Sequence, residues 1–376
     1  MGQEIPLFRL NYDKKEEEAV VDTLRSKWIS TGPKCEQIED FFSGRIGAKF
    51  GLSVTNCTSA LHLAMLTAEI GTGDEVLVPS LSFVATANAV RYVGAEPVFC
   101  DIVSATDLTI DPNEIEQKIT DRTRAIVPMH YGGFGSHMEK IKSIATKNNL
   151  TIIEDASHAP LSRYKEDYLG TIGDIGCFSF YSNKNISAGE GGMLVTDNEK
   201  YYEKAQLLRS HGMTSLAYER KERMNSYDVV ELGYNYRMDD IRASLILVQM
   251  KKLAQQIDQL SQIRTYYEEA LDDIDEIEVP FQDYGYTATN YIFPIIIKNS
   301  DAIKRDQIRQ YLKKNGIQTS VHYPAIHNFS IYDHKNVDLS KTEYISENEI
   351  SLPIFPSIEK SEIDYIADKL KEALCQ

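Results

Sequence analysis

CFSFYSNKNISAGEGGMLVT, residues 177–196, is the stretch that decides the fold. An apolar run typical of a buried strand leads into Lys184, the tetrapeptide GEGG follows at 189–192, and a second apolar run begins at Met193. A lysine that serves only as a solvent-exposed residue is unusual at a tight, glycine-rich connection between two buried strands. Taken alone, however, the segment is equally consistent with a solvated loop lysine, because glycines commonly mark turns with positive φ.

Outward from this segment, short apolar runs alternate with helical stretches from about residue 50 to residue 200. Such alternation indicates βαβ units and predicts a mostly parallel, seven-stranded sheet with helices on both faces. The strands are apolar throughout, as expected for a sheet that is buried on both sides. Strands are predicted at 50–54, 75–79, 97–102, 124–129, 151–155, 177–181 and 193–196, and helices at 59–69, 84–93, 112–119 and 137–148.

After residue 240 the pattern changes. A long helical stretch covers about 239–274, and a strand at 291–297 and helices at 301–315 and 361–373 follow it. We therefore predict an α/β large domain at 16–240 and a smaller α+β C-terminal domain at 241–376. The segment 1–15 joins one of the two, and the sequence leaves open which.

Charge and cysteine usage exclude several classes of protein. The formal net charge is -16, whereas a protein that binds the nucleic-acid backbone needs a basic surface. The five cysteines are scattered without CxxC pairing, which suits a reducing compartment and predicts neither a disulfide framework nor a metal site. No apolar signal core or membrane-span pattern is present, so we expect a cytoplasmic protein.

A carboxylate pair ends one predicted strand. TIIEDASHAP, residues 151–160, places Glu154 and Asp155 at the carboxyl end of the strand, where open α/β sheets bind their ligands. A carboxylate at this place could hold a cation, a metal ion or a protonated ring nitrogen. The alternative is that Asp155 only caps the following helix.

Two further strand ends carry candidate ligand contacts. In SVTNCTSALHLAM, residues 53–65, Thr58 and Ser59 lie where a strand turns into a helix, and the free N–H groups at such a corner bind phosphate. The alternative is plain helix capping. In PSLSFVATANAV, residues 79–90, Phe83 follows a strand and could lie against a planar ring, although an aromatic there is often part of the core.

In this order, the four segments resemble the DegT/DnrJ/EryC1/StrS sugar aminotransferases, which have the pyridoxal 5'-phosphate (PLP) transferase fold type I. The resemblance begins at LRSKWISTGPKCEQIEDFF, includes the blocks KNISAGEGG and LGYNYRM, and extends to VHYPAIH. It implies a PLP cofactor, a large domain with a seven-stranded sheet, and a homodimer with shared active sites. Two positions depart from the family pattern: Cys57, where glycine is frequent, and His137, where aspartate is common.

The resemblance also implies roles for single residues. Lys184 would hold the cofactor covalently and later move a proton, Asp155 would pair with the pyridine nitrogen, and His158 would approach the ring hydroxyl. The other cofactor contacts would be Phe83 on the ring face and, at the phosphate, Thr58, Ser59, Ser179 and Asn235, the last of these from a second subunit. The implied substrate contacts are Arg237, His322, Tyr323 and the stretch Ser30, Thr31 and Gly32.

The function that the resemblance implies is transfer of an amino group from L-glutamate to a nucleotide-linked 4-keto-6-deoxy sugar in amino-sugar biosynthesis, for example for lipopolysaccharide O-antigen. Lys184 favours transamination, because one subgroup of the family has histidine there and catalyses dehydration. Two alternatives stay open: a ketocyclitol aminotransferase, and a non-catalytic PLP-binding regulatory protein, which would be expected to lose Lys184 or Asp155. A dehydrogenase is excluded, since GTGDEV at 71–76 lacks the third glycine of a dinucleotide-binding loop.

Overall fold

The computed structural model describes residues 4–215, 227–332 and 337–375. These residues contain eleven α-helices and twelve β-strands. The strands are β1 Phe50–Val54, β2 Glu75–Pro79, β3 Glu96–Cys100, β4 Thr123–Ile126, β5 Thr151–Asp155, β6 Arg163–Tyr164, β7 Asp167–Tyr168, β8 Ile175–Ser179, β9 Gly192–Thr196, β10 Ile277–Glu278, β11 Phe293–Ile297 and β12 Glu349–Leu352. The helices are α1 Lys14–Arg25, α2 Pro33–Ile46, α3 Cys57–Thr67, α4 Ala85–Tyr92, α5 Pro112–Lys118, α6 Met138–Asn148, α7 Glu199–Arg209, α8 Asp240–Leu271, α9 Ala302–Lys314, α10 Ser340–Asn348 and α11 Lys360–Leu374.

The large sheet has seven strands in the order β1-β9-β8-β5-β4-β2-β3. Only β9 runs against its neighbours, β1 and β8, and the remaining pairs are parallel. Because β8 and β9 are antiparallel, the chain can join them through the short segment that carries Lys184, without a crossover helix. Every residue of β2, β8 and β9 is buried, as a sheet covered on both faces requires. The predicted seven-stranded, mostly parallel sheet is confirmed.

Helix α3 follows β1 after a two-residue turn and is buried along most of its length. Its N-cap is Asn56, whose side chain accepts the N–H of Ser59 at 2.9 Å. Apolar residues occupy nearly every position from Ala60 to Met65, which is the pattern of a helix with protein on all sides. The cap therefore fixes the direction in which the first turn of α3 faces.

A second sheet, β10-β11-β12, is antiparallel and lies in the C-terminal part of the chain. The start of the chain joins this part: Ile5 pairs with Ile317, and its N–H donates to the carbonyl of Gly316 at 2.8 Å. Further along the chain, the Tyr12 hydroxyl donates at 2.8 Å to the carbonyl of Ser187, which lies in the connection between β8 and β9. The described residues of this segment, from Glu4 onward, thus contact both parts of the molecule.

Helix α8, with 32 residues, connects the two parts. It packs against α1 and α2 and also against α11. It begins at Asp240, where the sequence places the domain boundary, and that boundary stays a prediction. None of the helices in the described ranges is long and apolar enough to cross a membrane.

Candidate active site

A cavity of about 470 Å³ opens at the carboxyl ends of β5 and β8. This is the edge of a parallel sheet at which ligands bind, and the volume is in the range of cofactor pockets. The cavity is lined by Asn56, Cys57, Thr58, Leu61, Phe83, Ala85, Asp155, Ser157, Ser179, Tyr181, Asn183, Lys184, Glu190, Tyr291, His322 and Tyr323. All four segments singled out in the sequence therefore contribute to one site.

Lys184 lies in the turn after β8, where its N–H donates to the carbonyl of Tyr181 at 2.9 Å. Its Nζ is 4.0 Å from the centre of the Tyr291 ring. Burial lowers the pKa of the Lys184 amine from 10.5 to about 7, although the negative charge of Asp155 acts in the opposite direction. A large fraction of this amine is therefore neutral and nucleophilic near pH 7.

Asp155 is the last residue of β5 and is 3% exposed. Its Oδ2 accepts a hydrogen bond from Thr86 Oγ1 at 2.7 Å, and its Oδ1 accepts the N–H of Ser157 at 3.1 Å. Within the described ranges, no lysine or arginine forms an ion pair with this carboxylate. A buried carboxylate of this kind needs a positive partner, and a protonated ring nitrogen in the cavity would supply one.

The first turn of α3 forms the polar end of the cavity. The N–H groups of Cys57 and Thr58 precede the first helical hydrogen bonds, and the hydroxyls of Thr58 and Ser179 lie at the same wall. Gly192 allows this approach, since a Cβ there would be 2.5 Å from the Asn56 carbonyl carbon and 2.7 Å from the Cys57 nitrogen. The arrangement suits a phosphate.

Ser59, which we predicted as a phosphate contact, is placed differently. Its hydroxyl lies 3.0 Å from Asn56 Oδ1 and 3.1 Å from Thr55 Oγ1, and the residue does not line the cavity. Its side chain stabilises the cap of α3 from behind the first turn. The phosphate role of Ser59 stays a prediction.

Aromatic rings border the cavity. Phe83 is 56% exposed there, which argues against its being part of the core. His158 is buried behind the cavity, where its Nδ1 accepts the N–H of Gly132 at 3.2 Å and its Nε2 is 2.9 Å from the Tyr323 hydroxyl. Burial, together with the charge of Lys184, lowers the pKa of His158 well below its usual value. The ring is thus neutral, with its proton on Nε2.

Three predicted contacts, Asn235 to the cofactor phosphate and Thr31 and Arg237 to the substrate, lie outside the cavity of their own chain. Thr31 donates to the Met238 carbonyl at 2.6 Å and, with Gly32, lines a separate cavity of about 320 Å³. Asn235 is exposed. Arg237 pairs with the backbone of Val54, and its buried Nη1 has no partner among the described residues. If these residues act at an active site, they do so at a second copy of the cavity.

Two residues of the site were not predicted from the sequence. The Tyr291 ring faces the Lys184 amine, and the Thr86 hydroxyl donates a hydrogen bond to Asp155. Tyr291 is 107 positions from Lys184 along the chain and precedes an ordinary apolar strand, so no local signal marks it. Thr86 lies in the first turn of α4, 69 positions from Asp155, and Phe83 precedes that helix, so their spacing gives no helical signal either.

The comparison with known proteins agrees with this geometry. The model of the DegT/DnrJ/EryC1/StrS aminotransferase family matches residues 11–371. The Methanocaldococcus jannaschii protein MJ1066 is 38% identical over 99% of this chain and 98% of its own length. The spore coat polysaccharide biosynthesis protein SpsC of Bacillus subtilis is 36% identical over 96% of this chain and 94% of its own length.

Solved structures match over nearly the whole chain. PseC of Helicobacter pylori, an aminotransferase involved in the biosynthesis of pseudoaminic acid, has a TM-score of 0.92 and 28% identity, with 99% of each chain covered. The PLP form of Spr1654 from Streptococcus pneumoniae has a TM-score of 0.91 and 29% identity, with 98% of each chain covered. That protein is also known in its pyridoxamine phosphate (PMP) form.

Proposed function

Because this chain belongs to the DegT/DnrJ/EryC1/StrS aminotransferase family and is a PLP-dependent sugar aminotransferase, we propose that it transfers the amino group of L-glutamate to a nucleotide-linked keto-deoxy sugar. The acceptor that we propose is a 4-keto-6-deoxyhexose. The observation that carries the proposal is the partly buried Lys184 amine, with a pKa of about 7, in one cavity with the first turn of α3 and with the Asp155 carboxylate, which has no lysine or arginine ion-pair partner in the described ranges.

The residues of the cavity suit PLP. When bound, the cofactor supplies an aldehyde that exchanges between amino groups and a ring that accepts the electrons left by a departing proton. Lys184, whose amine is largely neutral near pH 7, would hold the cofactor through its Nζ and would hold and move a proton at that atom. Asp155 favours a protonated pyridine nitrogen, since an adjacent opposite charge stabilises a cation.

The remaining residues bind and orient the cofactor. The first turn of α3, with the hydroxyls of Thr58 and Ser179, would hold the phosphate, and Phe83 would cover one face of the ring. His158 and Tyr323, which are hydrogen bonded to each other, would hold the ring hydroxyl. His322 faces the same cavity and would contact the sugar.

We further propose that the protein is a homodimer in which Asn235 completes the phosphate site of the partner subunit. Its exposure, and that of Val229, Val230 and Leu232 just before it, at 55%, 57% and 88%, support an interface there. Co-expression of Lys184→Ala and Asn235→Asp subunits tests this arrangement, because a hybrid dimer then has one intact site. Activity should return to about one quarter of wild type, from two inactive parents. If the mixture is as inactive as its parents, sharing of the site is refuted.

The substrate is tested with a panel of dTDP-, UDP- and GDP-linked keto sugars, each assayed with L-glutamate and with L-glutamine. We expect the yellow protein to lose its colour on addition of L-glutamate and to aminate one nucleotide-linked acceptor. Lys184→Ala should abolish turnover with the fold intact, and Asp155→Ala should lower it by several orders of magnitude. Retention of wild-type turnover by either variant would refute its role.

Two measurements separate the alternatives from this proposal: binding of free nucleoside diphosphate for the first, and bleaching with L-glutamate for the second. A ketocyclitol aminotransferase has no use for a nucleotide, so it would bleach with L-glutamate but fail to bind the diphosphate. A regulatory PLP-binding protein would not bleach with any amino donor. The joint presence of Lys184 and Asp155 in the cavity speaks for catalysis.

A further inference from the structure

Three polar residues form a buried cluster behind the wall of the active-site cavity: Glu349, Ser351 and His322. Glu349 and Ser351 lie two positions apart on β12, so their side chains point to the same face of the sheet. The backbone of Ser351 pairs with that of Ser320, which brings the segment containing His322 alongside β12. Glu349 and Ser351 are both fully buried, and His322 is 8% exposed.

Hydrogen bonds connect the three residues in a closed ring. The backbone N–H of His322 donates to Glu349 Oε2 at 2.7 Å, and His322 Nδ1 is 2.8 Å from Ser351 Oγ. Ser351 Oγ is in turn hydrogen bonded to Glu349 Oε1. The other ring nitrogen of His322, Nε2, has no hydrogen-bond partner among the residues described, and His322 lines the cavity. The cluster therefore controls the imidazole from its Nδ1 side and leaves Nε2 to a ligand.

The ring of hydrogen bonds permits two arrangements of protons. If Glu349 is protonated, it donates to Ser351, Ser351 donates to His322 Nδ1, and the imidazole proton is on Nε2. If Glu349 is ionised, Ser351 donates to the carboxylate, His322 donates from Nδ1, and Nε2 becomes an acceptor. Because a neutral imidazole has one proton, the state of Glu349 decides whether His322 offers the cavity a donor or an acceptor.

The surroundings favour the first arrangement at neutral pH. Burial raises the pKa of Glu349 to about 8, against the opposing effects of Ser351, the His322 amide and the more distant charges of Arg305 and Arg309. Both arginines are engaged elsewhere, Arg305 with Asp306 and Arg309 with the Thr319 backbone.

The imidazole itself stays neutral. Burial, with the charge of Lys184, lowers the pKa of His322 to about 3. Burial also keeps Tyr131 and Tyr323, which face this cluster, in their protonated forms by raising their pKa.

We propose that Glu349 and Ser351 are positioning residues that hold the proton of His322 on Nε2, so that His322 donates a hydrogen bond to an oxygen atom of the substrate. The identity of that oxygen rests on the proposed function, whereas the relay itself is a property of the resting protein. The carboxyl, hydroxyl and imidazole groups act in sequence, and Glu349 never touches the ligand.

Nitrogen NMR of the holoenzyme with labelled histidine tests the relay without any substrate. The protein has eight histidines, and a His322→Gln variant identifies the signals of interest. Between pH 6 and pH 10 we expect the wild-type signals to change from the Nε2-protonated to the Nδ1-protonated form as Glu349 ionises. Glu349→Gln should stay Nε2-protonated throughout, because its amide donates to Ser351 permanently.

Ser351→Ala breaks the relay and should remove the pH-dependent change even though Glu349 is present. Ser244→Ala is the matched control, since this buried hydroxyl bonds only the carbonyl of Ile241 at 2.7 Å. A wild-type imidazole that keeps one tautomer over the whole range overturns the proposal. So does a change of tautomer that persists in Glu349→Gln or Ser351→Ala.

Kinetics then connect the relay to turnover. Glu349→Gln should keep wild-type kcat/KM for the sugar at pH 7 and exceed the wild type by about two- to tenfold at pH 9, where the wild type has lost the donor. Ser351→Ala should raise KM for the sugar at pH 7 by a similar factor and leave the half-reaction with L-glutamate unchanged. If no sugar is turned over but the tautomer responds as expected, the proposed substrate is wrong and the relay stands. Equal pH profiles for Glu349→Gln and wild type would overturn the functional role.

Discussion

Replacing Thr86 with valine tests how the protein holds its catalytic carboxylate. Thr86 is fully buried at the start of α4, and its hydroxyl donates to Asp155 Oδ2 at 2.7 Å. Valine has nearly the same shape, so the change removes the hydrogen bond to Asp155 and the one to Ser82 Oγ, 2.8 Å away, without leaving a cavity. Asp155 keeps its second bond, from the N–H of Ser157 at 3.1 Å, and stays on β5. The direction of the carboxylate then depends on one contact instead of two.

The size of the effect follows from the charge of the acceptor. A hydrogen bond to a charged group contributes about 1.5–3 kcal/mol, and 1.4 kcal/mol corresponds to about a factor of ten. We therefore expect kcat to fall by roughly ten- to a hundredfold in Thr86→Val. KM for L-glutamate should change little, because Thr86 is not among the residues that line the cavity. The loss should be smaller than that of Asp155→Ala, in which the carboxylate itself is absent.

Stopped-flow measurement of the colour change with L-glutamate gives this rate directly. Thr86→Ser keeps the hydroxyl and should recover most of the activity. Thr67→Val controls for the loss of a buried threonine hydroxyl elsewhere, since Thr67 bonds the Ala64 carbonyl at 3.0 Å. A Thr86→Val rate within twofold of wild type would refute the reasoning, and so would a Thr86→Ser variant that is equally damaged.

Further predictions concern the lysine and the phosphate end. Covalent capture of PLP by the apoprotein can be trapped with borohydride and located by mass spectrometry. Because the amine of Lys184 reacts only when neutral, capture should rise with pH around a midpoint near 7, far below 10.5, the ordinary pKa of a lysine. Tyr291→Leu removes the ring 4.0 Å from that amine and should lower the midpoint by about half to one unit, since a ring face stabilises the cation; an unchanged midpoint would contradict this. Gly192→Ala should weaken PLP binding in an equilibrium titration by displacing the first turn of α3, whereas Gly44→Ala, with open space around its Cβ, should not; equal affinities would show that the close approach is unimportant.

The large sheet could be predicted from the sequence because two features indicate its strands. Most of their residues are buried, as in β2, β8 and β9, and a helix or a glycine-containing turn follows most of them. The strands of the C-terminal part are harder to predict from the sequence. Its strand β10 has two residues and β12 has four, and β12 contains Glu349 and Ser351, which interrupt the apolar pattern on which the prediction depends. Only β11 and the helices α8, α9 and α11 were predicted there.

The same difference decides which site residues could be predicted. Lys184 and Asp155 each lie in a short block that the family resemblance covers, and their roles were predicted from that resemblance. Tyr291 and Thr86 act on these two residues from 107 and 69 positions away, and such distances leave no local pattern. Asn235 and Arg237 differ from both groups. Within the described residues of one chain they do not line the cavity, so their contacts there do not explain a role at the cofactor site.

The interruption of β12 has a physical explanation if the relay is correct. A fully buried carboxyl group is costly unless its hydrogen bonds are satisfied, and here the His322 N–H and the Ser351 hydroxyl satisfy them. What Glu349 adds is a proton that can be passed, through Ser351, to the far side of His322. The C-terminal part of the chain would then do more than cover the cavity. It would determine whether His322 donates or accepts a hydrogen bond at the proposed sugar site. Glu349→Gln, which keeps an acceptor for the His322 N–H, should accordingly leave the melting temperature nearly unchanged while it raises sugar turnover at pH 9, and a variant that loses both stability and turnover would show that the carboxyl group is structural.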